Sequence, residues 1–195
     1  MDDAYHDSWA GLSWVASHAT PNPTNADTWL ITHADFTKVF IGGDSSGDNL
    51  VHNVVMRAGV EDLPGGVKVV GAYLNHPYLW GSKGIGGEAD VGFEKCAQSL
   101  IWNFAYPDAP GGLDNPMINP LAPGCSKMLI TVAGKDHLKF RDRAVLYYEG
   151  VEKSGWKGKV TLFEEEEEDH VYFLYDLETD QSKRLIKILV DFLTN

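Results

Sequence analysis

Lys38-Val39-Phe40-Ile41-Gly42-Gly43-Asp44-Ser45-Ser46-Gly47-Asp48-Asn49-Leu50-Val51 is the stretch on which the reading of this chain turns. The apolar run Lys38 to Ile41 predicts a strand, and Asn49 to Arg57, with Leu50, Val51, Val54 and Val55 on one face, predicts a helix. Between them stands Gly43-x-Ser45-x-Gly47. A G-x-S-x-G pentapeptide that joins a strand to a helix makes a nucleophile elbow, a sharp turn that leaves the serine hydroxyl exposed at the end of the strand. Glycines on either side let the backbone turn without Cβ clashes. The helix behind the turn aims unpaired N–H groups, that of Ser46 first, at the place where negative charge develops in acyl transfer.

Outward from the elbow, strand and helix patterns alternate. Val67 to Leu74, Met128 to Ala133 and Lys159 to Phe163 read as further strands; Tyr5 to Ala19, Phe93 to Phe104, Arg141 to Ser154 and Gln181 to Leu193 read as helices. Pro21-Asn22-Pro23 ends the first helix, Trp29-Leu30 is expected to pack ahead of the first strand, and Pro107 to Pro123 reads as a long loop. Such alternation implies a parallel sheet, hence an α/β fold in one domain spanning 1–195. Right-handed crossovers bring all four strand C-termini to one side, where open α/β sheets bind ligands.

A serine nucleophile needs a base and an orienting acid, in this fold class in the chain order Ser, then Asp or Glu, then His. Of seven histidines, only His137 and His170 follow both an acid and a strand that comes after Ser45. Asp136 follows the third strand in Gly134-Lys135-Asp136, and His170 follows the fourth in Asp169-His170-Val171. The expected catalytic set is therefore Ser45, Asp136 and His170, with Asp136 holding the imidazole and His170 taking the serine proton. Taken singly, each residue has a blander role: an Asp at a strand end commonly caps a helix, and a His in an acidic loop is commonly just solvated. Their joint occurrence after the right strands carries the reading. The run Glu164 to Glu168 with Asp169 reads as a solvated, self-repelling loop. No HExxH or CxxC spacing occurs, so neither a metal nor another cofactor is expected.

Composition narrows the partners. A formal net charge of −12 over 195 residues argues against nucleic acid or an anionic membrane and favours a small neutral or apolar ligand. Two cysteines are too few for a disulfide framework and fit a reducing, cytoplasmic location. No apolar run approaches the ~18 residues of a membrane span. The start, Met1-Asp2-Asp3-Ala4, lacks the features of a signal peptide.

These residues resemble the plant carboxylesterase branch of the α/β-hydrolases, related to hormone-sensitive lipase. The likeness runs through Asp7-Ser8-Trp9, Gly43-Asp44-Ser45 with Asn49, His76-Pro77-Tyr78, Asn115-Pro116, Val132-Ala133-Gly134-Lys135-Asp136, Tyr147-Tyr148-Glu149 and Asp169-His170-Val171. Within the branch, Ala109 to Pro116 and Lys153 to Lys159 most resemble legume 2-hydroxyisoflavanone dehydratases, which use the esterase scaffold to eliminate water. The resemblance implies an α/β-hydrolase fold with a lid-like insertion over about 76–123, and a carboxylesterase acting on small, partly aromatic esters; a flavonoid-directed dehydratase is the alternative. Gibberellin receptors share the scaffold but typically replace the histidine that this chain keeps as His170. Three departures stand out. Ser45 occupies a position where the dehydratases often carry threonine, which favours hydrolysis. Asp48 replaces the family's usual glycine. No His-Gly-Gly, the family's other source of oxyanion N–H groups, occurs in the 195 residues. The expectation is a C-terminal part of a family member, without its first strands and N-terminal lid, in which the strand before Ser45 becomes a sheet edge and catalysis is impaired.

Overall fold

Strand and helix patterns take turns along the chain, and the architecture follows them. The computed structural model describes residues 2–23, 26–90, 96–120 and 125–195. Its strands are β1 (Val39–Asp44), β2 (Val69–Asn75), β3 (Lys127–Ala133) and β4 (Lys159–Glu165). Its α-helices are α1 (Asp2–Ser17), α2 (Thr28–His33), α3 (Ser46–Ala58), α4 (Ala97–Ala105), α5 (Arg141–Lys153) and α6 (Asp180–Thr194). The strands lie in the order β1-β2-β3-β4 and every neighbouring pair is parallel. Parallel neighbours cannot be joined by a hairpin, so α3, α4 and α5 supply the crossovers. All four strands consequently end at one rim.

The expected elements are present with shifted ends. β1 continues past Ile41 to Asp44, and α3 begins at Ser46 rather than Asn49, so Ser45 alone makes the turn. The helix expected from Phe93 starts at Ala97; residues 93–95 lie outside the described residues, as do 121–123 of the expected loop.

Pleating sorts the core onto two faces. Met128, Ile130 and Val132 of β3 point toward α3 and α5, against Val54, Val55, Ala144 and Val151. Ala133 points the other way, into a cluster with Tyr172, Phe173 and Leu185 of α6. β3 is covered on both faces and paired on both edges, which is why it is apolar nearly throughout. α6 is pinned by Lys127, whose Nζ sits 4.7 Å from the Phe40 ring centre and 4.9 Å from that of Phe192, and donates to the Phe192 carbonyl at 2.6 Å. At the opposite end of α6, the Thr179 hydroxyl caps the helix by accepting the Ser182 N–H at 3.1 Å. Thr179→Ala is expected to lower stability by about 1 kcal/mol, read from the urea midpoint at constant m-value.

A third cluster, Tyr78, Trp80, Trp102 and Ile118 from the segment between β2 and β3, packs on Phe140 at the start of α5. That segment is tied to α5 by a buried ion pair, Arg143 Nη2 to Glu88 Oε2 at 2.6 Å, with the guanidinium also over the Trp80 ring. The outer edge of β1 has no strand partner among the described residues, as the sequence implied. Beside it runs an apolar groove of about 460 Å³ between β1, α1 and α3, lined in part by Leu12, Val15, Ile41 and Val54. Trp29 does not pack as expected: it is 66% exposed. No residue of α2 is buried, and the helix is held by Asp27, whose side chain accepts the N–H groups of Trp29 and Leu30. No helix among the described residues is long and apolar enough to cross a membrane.

Candidate active site

Ser45 sits at φ 54°, ψ −113°. That positive-φ conformation typically costs a non-glycine residue about 1–3 kcal/mol, so neighbours must hold it. They do so from β2 and the loop beyond it. The Ser45 N–H donates to the Asn75 carbonyl at 3.0 Å, and the Ser45 carbonyl accepts the N–H groups of Tyr78 at 3.0 Å and Asp48 at 3.1 Å. Gly43 is required by close approach: a Cβ there would lie 2.6 Å from the Gly47 carbonyl carbon. A Cβ on Gly47 would meet nothing within 4 Å. The expectation that both glycines relieve a clash therefore holds at Gly43 only, and the serine itself carries the unusual φ.

The loops after β3 and β4 bring the other two expected residues to Ser45. His170 Nε2 lies 2.9 Å from Ser45 Oγ, and His170 Nδ1 lies 3.1 Å from Asp136 Oδ2. His170 is 7% exposed and Asp136 5%. With the Asp136 carboxylate accepting from Nδ1–H, Nε2 is left as an acceptor for the serine O–H. The second Asp136 oxygen accepts the Leu138 N–H at 2.8 Å, which fixes the carboxylate plane. Ser46 is the first residue of α3, so its N–H is among those a helix start leaves without an intrahelical acceptor.

Side-chain pairing crosses the sequence neighbours. Asp136 serves His170, while Asp169 serves His137: Asp169 Oδ1 accepts the His137 N–H at 2.9 Å and lies 2.7 Å from its Nδ1. The same oxygen accepts the His170 N–H at 2.6 Å. Partial burial works against the Asp169 carboxylate, yet these bonds hold its pKa down to about 2. Asp136, His137 and Asp169 place one potential ligand atom each within 4.8 Å of one another. The hydrogen bonds just described already engage those atoms, so the cluster is a network that braces the two loops.

The acidic run is not the self-repelling loop the sequence implied. Glu164 takes a two-pronged contact from Arg141 at 2.6 and 2.8 Å, Glu165 takes one from Arg184, and Glu167 meets Lys135 at 2.5 Å. β4 extends to Glu165, which carries Glu164 and Glu165 between α5 and α6, where the arginines stand. Cys96 is buried and Cys125 half-buried, and the two are not joined in a disulfide.

Two residues gain a place at the site that sequence reasoning did not assign. His76 was legible only as part of His76-Pro77-Tyr78; its ring is wholly buried, 5.6 Å from that of His170. Asp48 was legible as a departure from the family pattern, and its carboxyl is fully enclosed, with no hydrogen-bond partner for either oxygen among the described residues.

Comparison with known proteins agrees with this fold. The sequence profile of the alpha/beta hydrolase fold family matches residues 1–174. The chain is 51% identical over 199 residues to a 2-hydroxyisoflavanone dehydratase of Glycine max, covering 97% of this chain and 62% of that one. It is 37% identical to probable carboxylesterase 1 of Arabidopsis thaliana, covering 97% of this chain and 59% of that one. Among solved structures, esterase LipW from Mycobacterium marinum superposes with a TM-score of 0.76 at 22% identity, over 97% of this chain and 56% of that one, a likeness of fold. The chain thus spans about three fifths of the length of these curated relatives.

Proposed function

This chain belongs to the alpha/beta hydrolase fold family, and on that premise we propose that it is a serine carboxylesterase acting on small, partly aromatic carboxylic esters. The observation that carries the proposal is the Ser45 hydroxyl, 2.9 Å from an imidazole whose other nitrogen is 3.1 Å from a buried carboxylate. Ser45 Oγ attacks the ester carbonyl as His170 Nε2 removes its proton; the Ser46 N–H meets the developing oxyanion. His170 then returns the proton to the departing alcohol, leaving an acyl-serine. Water, deprotonated by His170, releases the acid and restores the serine. Asp136 keeps the imidazole in the required tautomer throughout. The aromatic preference is supported by the likeness to proteins named for an aromatic substrate, 2-hydroxyisoflavanone. The net charge of −12 suits neutral esters better than anionic ones.

A second reading, elimination of water from a 2-hydroxyisoflavanone, is favoured by the 51% and 52% identities to proteins so named from Glycine max and Glycyrrhiza echinata. In it His170 moves the proton, and Ser45 hydrogen-bonds the substrate without being acylated. Parallel assays on p-nitrophenyl acetate and on 2-hydroxyisoflavanone separate the two. The esterase reading expects p-nitrophenol release together with a covalent fluorophosphonate adduct on Ser45. Isoflavone formation above the uncatalysed rate, without such an adduct, would replace it with the dehydratase.

A further inference from the structure

His76 takes no part in the proton path above, yet it touches the turn that carries His170. It follows β2 at φ 57°, with its N–H donating to the Thr131 carbonyl of β3 at 2.9 Å. Its ring lies among those of His170, Tyr172 and Phe173, with centres 5.6, 5.7 and 5.6 Å away. Its Nδ1 accepts the N–H of Val171 at 2.8 Å. Val171, the residue after His170, is itself left-handed at φ 47°, ψ 35°, a conformation that a β-branched side chain resists. Two strained residues therefore meet at a single hydrogen bond, and that bond sets the direction in which the chain leaves His170.

We infer that His76 is a positioning residue: as a neutral acceptor for the Val171 N–H, it holds the strained turn that aims His170 Nε2 at Ser45. The activity readouts of this inference rest on the esterase reading; the hydrogen bond itself does not. Because Nδ1 accepts, the neutral ring carries its proton on Nε2, which is buried and has no partner among the described residues. A second proton would set an N–H against the Val171 N–H and break the contact. Burial, reinforced by His170, lowers the His76 pKa to about 4, against the opposing pull of Asp136 and Asp169. Tyr172 is the remaining titratable side chain packed on the ring. The acceptor thus persists through the neutral range and is lost in acid.

His76→Asn retains an acceptor oxygen near the place of Nδ1, whereas His76→Leu fills the volume without one. Hydrogen exchange at the Val171 amide, followed by NMR, is expected to stay slow in the wild type and in His76→Asn and to become at least about tenfold faster in His76→Leu. On p-nitrophenyl acetate, His76→Leu is expected to lose about tenfold in kcat with KM nearly unchanged, and His76→Asn to recover most of it. The acid limb of kcat/KM should steepen from one proton to two below pH about 4 in the wild type, and remain at one in His76→Asn. Equal protection of the Val171 amide in all three proteins overturns the inference whether or not esters are hydrolysed. If His76→Leu does not fold, exchange in His76→Asn decides: exposure of the amide there also overturns it. Hydrolysis that survives Ser45→Ala refutes the esterase reading and leaves the exchange result to stand by itself.

Discussion

Ser45→Ala is expected to lower kcat for p-nitrophenyl acetate by at least about 10⁴-fold while KM stays within a small factor of the wild-type value. The hydroxyl is the atom that forms the new bond, and the 2.9 Å contact to His170 Nε2 is the path by which its proton leaves. Without it, the imidazole has no nucleophile to activate except water, which nothing at the elbow orients. Because Ser45 and His170 work as one unit, the double variant Ser45→Ala/His170→Ala should be no slower than the worse of the single ones. Initial rates of the three variants, with mass spectrometry for the fluorophosphonate adduct, provide the check. Full activity in Ser45→Ala, or losses that multiply in the double variant, would refute the assignment. The oxyanion contribution survives in all three, so a residual rate above that of water is expected.

The second large effect concerns stability, and it turns on Asp48. Its carboxyl is enclosed in the first turn of α3, and among the described residues neither oxygen has a partner of hydrogen-bonding geometry. Loss of solvation raises its pKa well above 3.8; nearby backbone groups of Asn75 and Ser45 soften the effect, and the charge of Asp44 adds to it. The Tyr73 hydroxyl is the other titratable group that feels this charge. An acid whose pKa is higher folded than unfolded binds its proton more tightly in the native state. Its contribution to stability is therefore complete below pH 3.8 and declines as the pH rises above that value. Asp48→Asn has no proton to lose. It is expected to be more stable than the wild type at pH 8 by about 1–3 kcal/mol, with the advantage shrinking to nothing as the pH falls toward 4. Urea denaturation from pH 4 to pH 8 measures this directly, and parallel stability curves for the two proteins would show that the carboxyl is not desolvated. Since Asp48 lies three residues beyond Ser45, loss of its proton is expected to disturb the elbow, so activity should fall along with stability as the pH rises.

The residues that make the elbow were legible because their signal is local. A strand pattern, Gly43-x-Ser45-x-Gly47 and a helix pattern sit within one continuous stretch, and each element forms from its own periodicity. The order of the later strands was legible for the same reason, and with it the rule that Asp136 and His170 end up at the rim that holds Ser45. The pairing of Asp136 with His170 was expected from that order; what was not legible is that Asp169 serves His137. Asp136-His137 and Asp169-His170 are neighbours in the chain, yet the hydrogen bonds run from Asp136 to His170 and from Asp169 to His137. The two loops lie face to face, so each carboxylate can reach across to the imidazole of the other.

The acidic run misled for a related reason. Counted along the chain, Glu164 to Glu168 repel one another; folded, Glu164 and Glu165 stand opposite Arg141 and Arg184, which come from helices on either side of β4 in the sequence. His76-Pro77-Tyr78 gave no cue to the role of His76, since its partner Val171 is distant in the chain and the bond exists only because β2 and β4 end at one rim.

The linear order of residues was by itself enough to set the class of fold, the turn that exposes Ser45 and the identity of the three side chains expected to cooperate there. Each of those follows from short-range preferences or from the handedness of parallel crossovers. Tertiary structure alone decided the pairing of Asp169 with His137, the burial of Asp48 and the support that His76 lends to His170. The reason is that hydrogen-bond geometry and the loss of solvent depend on distances between segments that meet only when the sheet has assembled.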